Sequence, residues 1–201
     1  MQDILLYGFS TFLPSICKGL GYSTLQSQYL TIPVYMLAAA FFLILAYISD
    51  RITLRAPFIA FANMFGIIGY ILLLCTSLPV GVRFFACFLC ALAVYVGPGL
   101  NMAWLNVNMA PQYRRATAIG LQQTIGNTAG IVAGQIYRTA PYKLGNGFSL
   151  GALVVAQLLI ATKYLYIKRL TAEKKRIASG EKAEYRKVTT GDKALDFVYH
   201  L

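Results

Sequence analysis

The twenty residues Tyr29–Ile48, YLTIPVYMLAAAFFLILAYI, carry no charged side chain. As an α-helix rising 1.5 Å per residue they span about 30 Å, the thickness of a bilayer's hydrocarbon core. Four further apolar stretches reach the same length: Ala56–Cys75, Val82–Val107, Ala116–Tyr137 and Phe148–Ile167. A shorter one, Ile4–Ile16, precedes them and reads as a clipped first helix. Short polar connections separate the stretches. Lipid offers no partner to a bare backbone N–H or C=O, so each stretch must close its hydrogen bonds within itself, as a helix. The expected fold class is therefore an all-α membrane protein: a six-helix transmembrane bundle over residues 1–167, with a polar tail over 168–201.

Hydrophobic residues make up 58% of the 201-residue chain and charged ones 12%, against a formal net charge of +11. Such an excess of base suits nucleic acid, but its placement does not. If the chain starts in the cytoplasm and alternates sides, fourteen Lys and Arg fall inside and four outside. Arg51, Arg55, Arg114 and Arg115 lie in the inside loops, and the tail from Lys168 adds nine more. This is the positive-inside bias of a multi-pass membrane protein. The expected surroundings are a lipid bilayer, with a basic cytoplasmic tail and no nucleic-acid partner.

No zinc, P-loop or dinucleotide pattern is present, and Ser, His and acid do not assemble into a hydrolase constellation. No catalytic residue, metal or cofactor is assigned. Cys87 and Cys90 have redox-pair spacing, but inside a membrane helix they read as small buried hydrophobes. The seven acids, Asp3 among them, are all read as lying outside the bilayer centre. Trp104, near a helix end, reads equally well as part of a face bordering a transport path or as an interfacial anchor.

Two stretches are more than apolar. In the fifth, Gly126, Gly130 and Gly134 recur every four residues, a strip on which another helix backbone can pack closely. At about 100° per residue, Gln122, Gln123 and Asn127 share that arc of roughly 140°, while Leu121, Ile125, Val132 and Ile136 fall opposite. The aliphatic arc should face lipid and the polar arc protein or water, because amides are costly in hydrocarbon. In the fourth, Gly97, Asn101, Trp104 and Asn108 share one helical face. Gly97-Pro98-Gly99 is expected to interrupt the helix just before them, and broken helices border transport paths. Asn101, Gln122, Gln123 and Asn127, with the hydroxyls of Tyr7 and Tyr35, are the candidate solute-pathway residues.

Ala46-Tyr47-Ile48-Ser49-Asp50-Arg51, followed by Arg55, resembles the loop motif of the major facilitator superfamily, with Ala46 for the first glycine and the second glycine missing. Trp104-x-Asn106, Arg114-Arg115-Ala116, Gly126-Asn127-x-x-Gly130-Ile131, Tyr137 and Ala140-Pro141-x-x-x-Gly145 extend the likeness. So do Tyr7-Gly8-Phe9-Ser10-x-Phe12-Leu13-Pro14 and Lys18-Gly19-Leu20-Gly21-Tyr22. Together they resemble the C-terminal half of the allantoate/nicotinate permease branch, fungal-type anion:cation symporters. The resemblance implies helices seven to twelve of a twelve-helix carrier working by alternating access. It implies a small organic anion or vitamin as solute, proton symport, the plasma membrane, and a partner N-terminal half. It also implies that Asp50, Arg51 and Arg55 latch one conformation, and that the first, second, fourth and fifth helices border the cavity. The alternative expectation is a truncated or degenerate carrier copy that does not transport, or a half-carrier acting with a partner.

Overall fold

The computed structural model describes residues 2–19, 21–137, 142–179 and 198–200. They form helices and turns, with no strand among them. α1 is Gln2–Gly19, α2 Thr24–Ile52, α3 Ala56–Leu74, α4 Val80–Val107, α5 Gln112–Asn127, α6 Ala129–Ile136 and α7 Lys143–Ala178. α5 and α6 are the fifth stretch, broken at Thr128, so the six expected stretches are all helical. Four helices are long and apolar enough to cross a membrane: α2, α3, α4 and α7.

Local chemistry sets the boundaries. Ser23 and Gln26 form a reciprocal capping box at the start of α2, satisfying two backbone N–H groups that no helical carbonyl can reach. Pro79 and Pro111 stand immediately before α4 and α5, where a missing N–H costs nothing. α2 ends at Thr53 in the left-handed region, φ 58°. Thr53 stands where the loop motif has its second glycine.

Helix α4 is the hub, packed against α1, α2, α3 and α5, and α3 also lies along α7. Two apolar clusters result. One, around Phe9, Leu13, Tyr70, Cys87, Cys90 and Tyr137, fills the half of the bundle distant from the loop arginines. The other, around Ile59, Val96, Leu100 and Trp104, fills the half near Arg51, Arg55, Arg114 and Arg115, here termed the basic end. Outward-facing side chains are also apolar: Tyr29, Met36 and Leu43 on α2, and Leu158 and Leu159 on α7, are exposed. A surface this greasy requires lipid, and the chain is an integral membrane protein.

Three expectations are corrected here. α4 runs unbroken through Gly97-Pro98-Gly99. The two glycines instead make room for neighbours: a Cβ at Gly97 would strike the Gln2 side chain, and one at Gly99 the Phe42 ring. The interruption sits at Thr128, whose hydroxyl donates to the Ile125 carbonyl at 2.7 Å. Trp104 is fully buried, so it is no interfacial anchor. Its indole N–H donates to the His200 carbonyl at 2.9 Å, and the Lys163 ammonium lies 3.8 Å over its ring. Ile136, expected on the lipid arc, packs against the first cluster, while Leu121, Ile125 and Val132 are exposed. Cys17, Cys87 and Cys90 are buried free thiols. Ala140 and Pro141 lie outside the described residues, as do tail residues 180–197.

Candidate functional site

Polar side chains inside an apolar bundle fall into two kinds: those spent on one another and those left with capacity. Gln2 Nε2 donates to Asn63 Oδ1 at 3.1 Å, and Asn63 Nδ2 donates to Gln157 Oε1 at 3.3 Å. This chain of amides ties α1, α3 and α7 together through the core, where an unpaired amide would cost several kcal/mol. Tyr137 and Ser149 share a second buried hydrogen bond, 3.0 Å long. Tyr137 is clamped there: a Cβ at Gly8 or at Gly145 would overlap its ring, and Phe12 stacks on it at 5.1 Å between centroids. These groups hold the fold.

A different arrangement opens between α1, α2 and α4. The Ser10 and Tyr95 hydroxyls are 2.8 Å apart, and the Tyr35 hydroxyl donates to the Ser10 carbonyl at 3.2 Å. The Tyr35 and Tyr95 rings meet edge to face at 6.0 Å. With Ala39 and Phe42 they wall an open cavity of about 570 Å³. Aromatic faces and hydroxyls can stack on and hydrogen-bond a small solute, as ligand sites do.

On the adjoining seam, α1 lies against the glycine strip of the fifth stretch. A Cβ at Gly126 would stand 3.0 Å from the Asp3 carboxyl carbon, and one at Gly130 would stand 3.7 Å from the Tyr7 ring. A Cβ at Gly134 would meet open space. The Tyr7 hydroxyl donates to Asn127 Oδ1 at 2.7 Å. Thus Tyr7 and Asn127 come together, and Tyr35 joins the neighbouring cavity. Gln122 is half-buried and Gln123 exposed, both on α5 between this seam and the basic end. Asn101 is separate, lining a smaller pocket of about 170 Å³ with Gln2, Trp104 and Lys163.

Sequence reasoning did not single out Tyr95, Phe42 or Lys163. Tyr95 and Phe42 sit in long apolar runs with many other aromatics, and only helix packing distinguishes them. Asp3 was misplaced. Gly126, which it touches, is about 21 Å along the helix from the start of α5 and about 15 Å from the end of α6. Gly97, against which the adjacent Gln2 sits, is about 15 Å from the basic end of α4 and about 26 Å from its other end. Asp3 is therefore half-buried and level with the middle of the fifth stretch, not beyond the helix ends.

At the basic end, Arg55 Nη2 donates to Asp50 Oδ1 at 2.6 Å, closing the turn between α2 and α3. Arg51 is not part of that pair: it donates to the Tyr47 hydroxyl at 3.0 Å and lies over its ring. Nearby, Asn108 holds the tail, accepting from the His200 N–H and donating to its C=O, each at 2.9 Å. His200 is thus docked through its backbone.

Comparison with known proteins gives a consistent result. A family model described as sugar (and other) transporter matches residues 7–176. An uncharacterized transporter of Schizosaccharomyces pombe is 48% identical over 201 residues, all of this chain and 42% of the relative. The high-affinity nicotinic acid transporter of Saccharomyces cerevisiae is 34% identical over 178 residues, 87% of this chain and 33% of the relative. An MFS-type transporter of Penicillium expansum is 36% identical over 193 residues, 92% of this chain and 37% of the relative. The chain thus spans about a third to two fifths of the length of these relatives. No solved structure matches. A membrane-crossing helical bundle with an aromatic-walled cavity, matched along most of its length by one family of carriers, belongs to the sugar (and other) transporter family of the major facilitator superfamily.

Proposed function

We propose that this chain forms the C-terminal half of a secondary carrier that moves a small organic anion or vitamin-like solute together with protons. The observation that carries the reading is the open cavity of Ser10, Tyr35, Phe42 and Tyr95, walled by the first, second and fourth stretches. Beside it, the Gln123 and Asn127 edge of α5 is exposed in the described bundle. Exposed amides at membrane depth call for a facing surface or water, and carriers of this type hold solute between two halves. An N-terminal half is the partner that would close the cavity. A flat aromatic carboxylate fits aromatic walls with hydroxyls between them. A relative named as a nicotinic acid transporter supports that class.

In this reading Tyr7, Tyr35, Asn101, Gln122, Gln123 and Asn127 hydrogen-bond solute or water along the path. Asp50 and Arg55 latch the basic end, which is cytoplasmic together with the tail, and the membrane is the plasma membrane. Uptake of radiolabelled nicotinate by cells expressing the full-length carrier tests it. Tyr95→Phe and Asn127→Leu should each raise KM by about tenfold, the worth of one lost hydrogen bond in a shielded site. Unchanged kinetics in both variants would refute the assignment. Saturable flux through the purified chain alone would refute the need for a second half.

A further inference from the structure

Helices α4 and α7 flank a gap at the basic end. Each packs closely on α3, yet their backbones hardly approach one another. The gap is a groove of about 480 Å³ whose lining includes the apolar Leu105, Met109, Ile167 and Leu170. A segment of this same chain, residues 198–200, closes on it. The Tyr199 ring lines the groove and packs against the second apolar cluster, with the Lys174 ammonium of α7 4.3 Å from its centroid.

Three hydrogen bonds hold His200 on the α4 side. Asn108 accepts from its N–H and donates to its C=O, each at 2.9 Å, and the buried Trp104 indole donates to the same C=O at 2.9 Å. All three engage main chain, so they fix where the segment lies without reading the His200 side chain. Asn108 also ends α4, and its amide donates to the Trp104 carbonyl at 3.0 Å. The short turn that follows leads into α5 and is held by Arg115, whose Nε donates to the Met109 carbonyl at 3.1 Å. The segment is therefore anchored to the joint between α4 and α5 on one side and to α7 on the other.

Such a clasp is close to balanced. Three hydrogen bonds of ordinary net worth favour docking by roughly a hundredfold. Ordering three residues opposes it by a similar or larger factor, and burial of the Tyr199 ring restores the preference. A contact of this strength holds at rest and yields to a modest competing force.

We propose that residues 198–200 form a strap that restrains the α4–α5 joint against α7, and that its release speeds the carrier's cycle. This rests on the carrier reading above, in which α4 and α5 border the solute path. Opening and closing at the basic end displaces the ends of those helices. A tie that fits one position of the joint stabilises that position over the other, so turnover is slower while the strap is docked. Solute affinity is set elsewhere, at the cavity between α1, α2 and α4, and is unaffected.

Substitutions in the segment test this without touching the bundle. His200→Pro removes the N–H that Asn108 accepts, while His200→Ala keeps every main-chain contact. Trp104 is the only tryptophan, so its emission in the purified chain reports docking. His200→Pro should move it to longer wavelength, and His200→Ala should not. Emission unchanged in His200→Pro, or shifted equally in both, overturns the proposal. Amide exchange over residues 105–113 reads the restraint itself: it should quicken about tenfold in His200→Pro and hold steady in His200→Ala. Equal exchange in the two overturns the proposal. In cells expressing the full-length carrier, His200→Pro should raise the maximal uptake rate per carrier molecule about three- to tenfold, the worth of one hydrogen bond, with KM changed by less than about twofold. An unchanged or lower maximal rate overturns the strap as a brake. If the unaltered carrier moves no solute, the transport reading falls, while the exchange measurement still decides whether the segment restrains the joint.

Discussion

Gly69 is a position where the bundle leaves no room for a side chain. On α3 it faces α4 so closely that a Cβ would stand 2.7 Å from Cys90 Sγ and 2.9 Å from both the Ala86 carbonyl oxygen and the Cys90 nitrogen. Two of those three atoms are backbone and cannot rotate away. Gly69→Ala therefore forces α3 and α4 apart by roughly 0.5–1 Å, which forfeits a quarter to a half of the dispersion energy of each contact along the seam. Overpacking of this kind costs about 1–3 kcal/mol, against which alanine's better helix propensity returns up to about 1 kcal/mol. The net expectation is a loss of about 1–2 kcal/mol, or roughly 2–8 °C in the unfolding midpoint for a chain of this length. Gly151→Ala in α7 is the matched control, because no atom lies within 4 Å of a Cβ there. It should be neutral or stabilising by up to about 1 kcal/mol. A thermal melt in detergent followed with a thiol-reactive dye reads both, since Cys17, Cys87 and Cys90 are buried in the folded chain. If Gly69→Ala melts at or above the unaltered chain, the close-approach argument is wrong for α3 and α4.

Thr53→Gly should stabilise by about 0.5–1 kcal/mol, because a β-branched residue at φ 58° costs about 1–2 kcal/mol and glycine loses part of that gain through its freer unfolded chain; an unchanged or lower melting midpoint would count against it. Asn108→Ala removes both hydrogen bonds to the His200 backbone. Trp104, the only tryptophan, then loses the cover of the docked tail, and its emission should move to longer wavelength while the His200 amide exchanges faster; neither change would mean the tail is held by other contacts. Tyr137→Ala empties the slot between Gly8 and Gly145 and strands the Ser149 hydroxyl, at a cost of about 3–5 kcal/mol; a melt within about 1 kcal/mol of the unaltered chain would show that the aromatic stack at that end is dispensable.

The helices were legible because lipid leaves the backbone no alternative, so length and apolarity alone located each stretch. Details inside the stretches were less so, for physical reasons. Pro98 looked like a break, yet the flanking glycines are spent on Gln2 and Phe42, and the helix continues through them. The break that does occur follows Gly126-Asn127, two poor helix formers beside a threonine that bonds its own backbone at Ile125. That signal was present and was read as a packing strip with a polar edge. Asp3 shows a deeper limit. Its depth follows from which residues of other helices it meets, and position along a chain carries no such information. Tyr95 was hidden for the same reason: an hydroxyl among many aromatics gains meaning only when Ser10 comes within 2.8 Å.

Hydrogen-bonding capacity then separates structure from site without reference to any motif. Gln2, Asn63 and Gln157 satisfy one another in series, and Tyr137 with Ser149 does the same; substitution there should unfold. Asn127 is different. It accepts from Tyr7 through Oδ1, which leaves both N–H groups of its amide to donate, and the residue is exposed. Around Ser10, three hydroxyls and one carbonyl supply three protons and more lone pairs than protons. This bundle thus presents an amide donor on the fifth stretch, against α1, and oxygen-bearing groups on α1, α2 and α4 around the cavity. A solute that carries acceptors at one end and a flat apolar body at the other can satisfy the first set while stacking on the walls of the second.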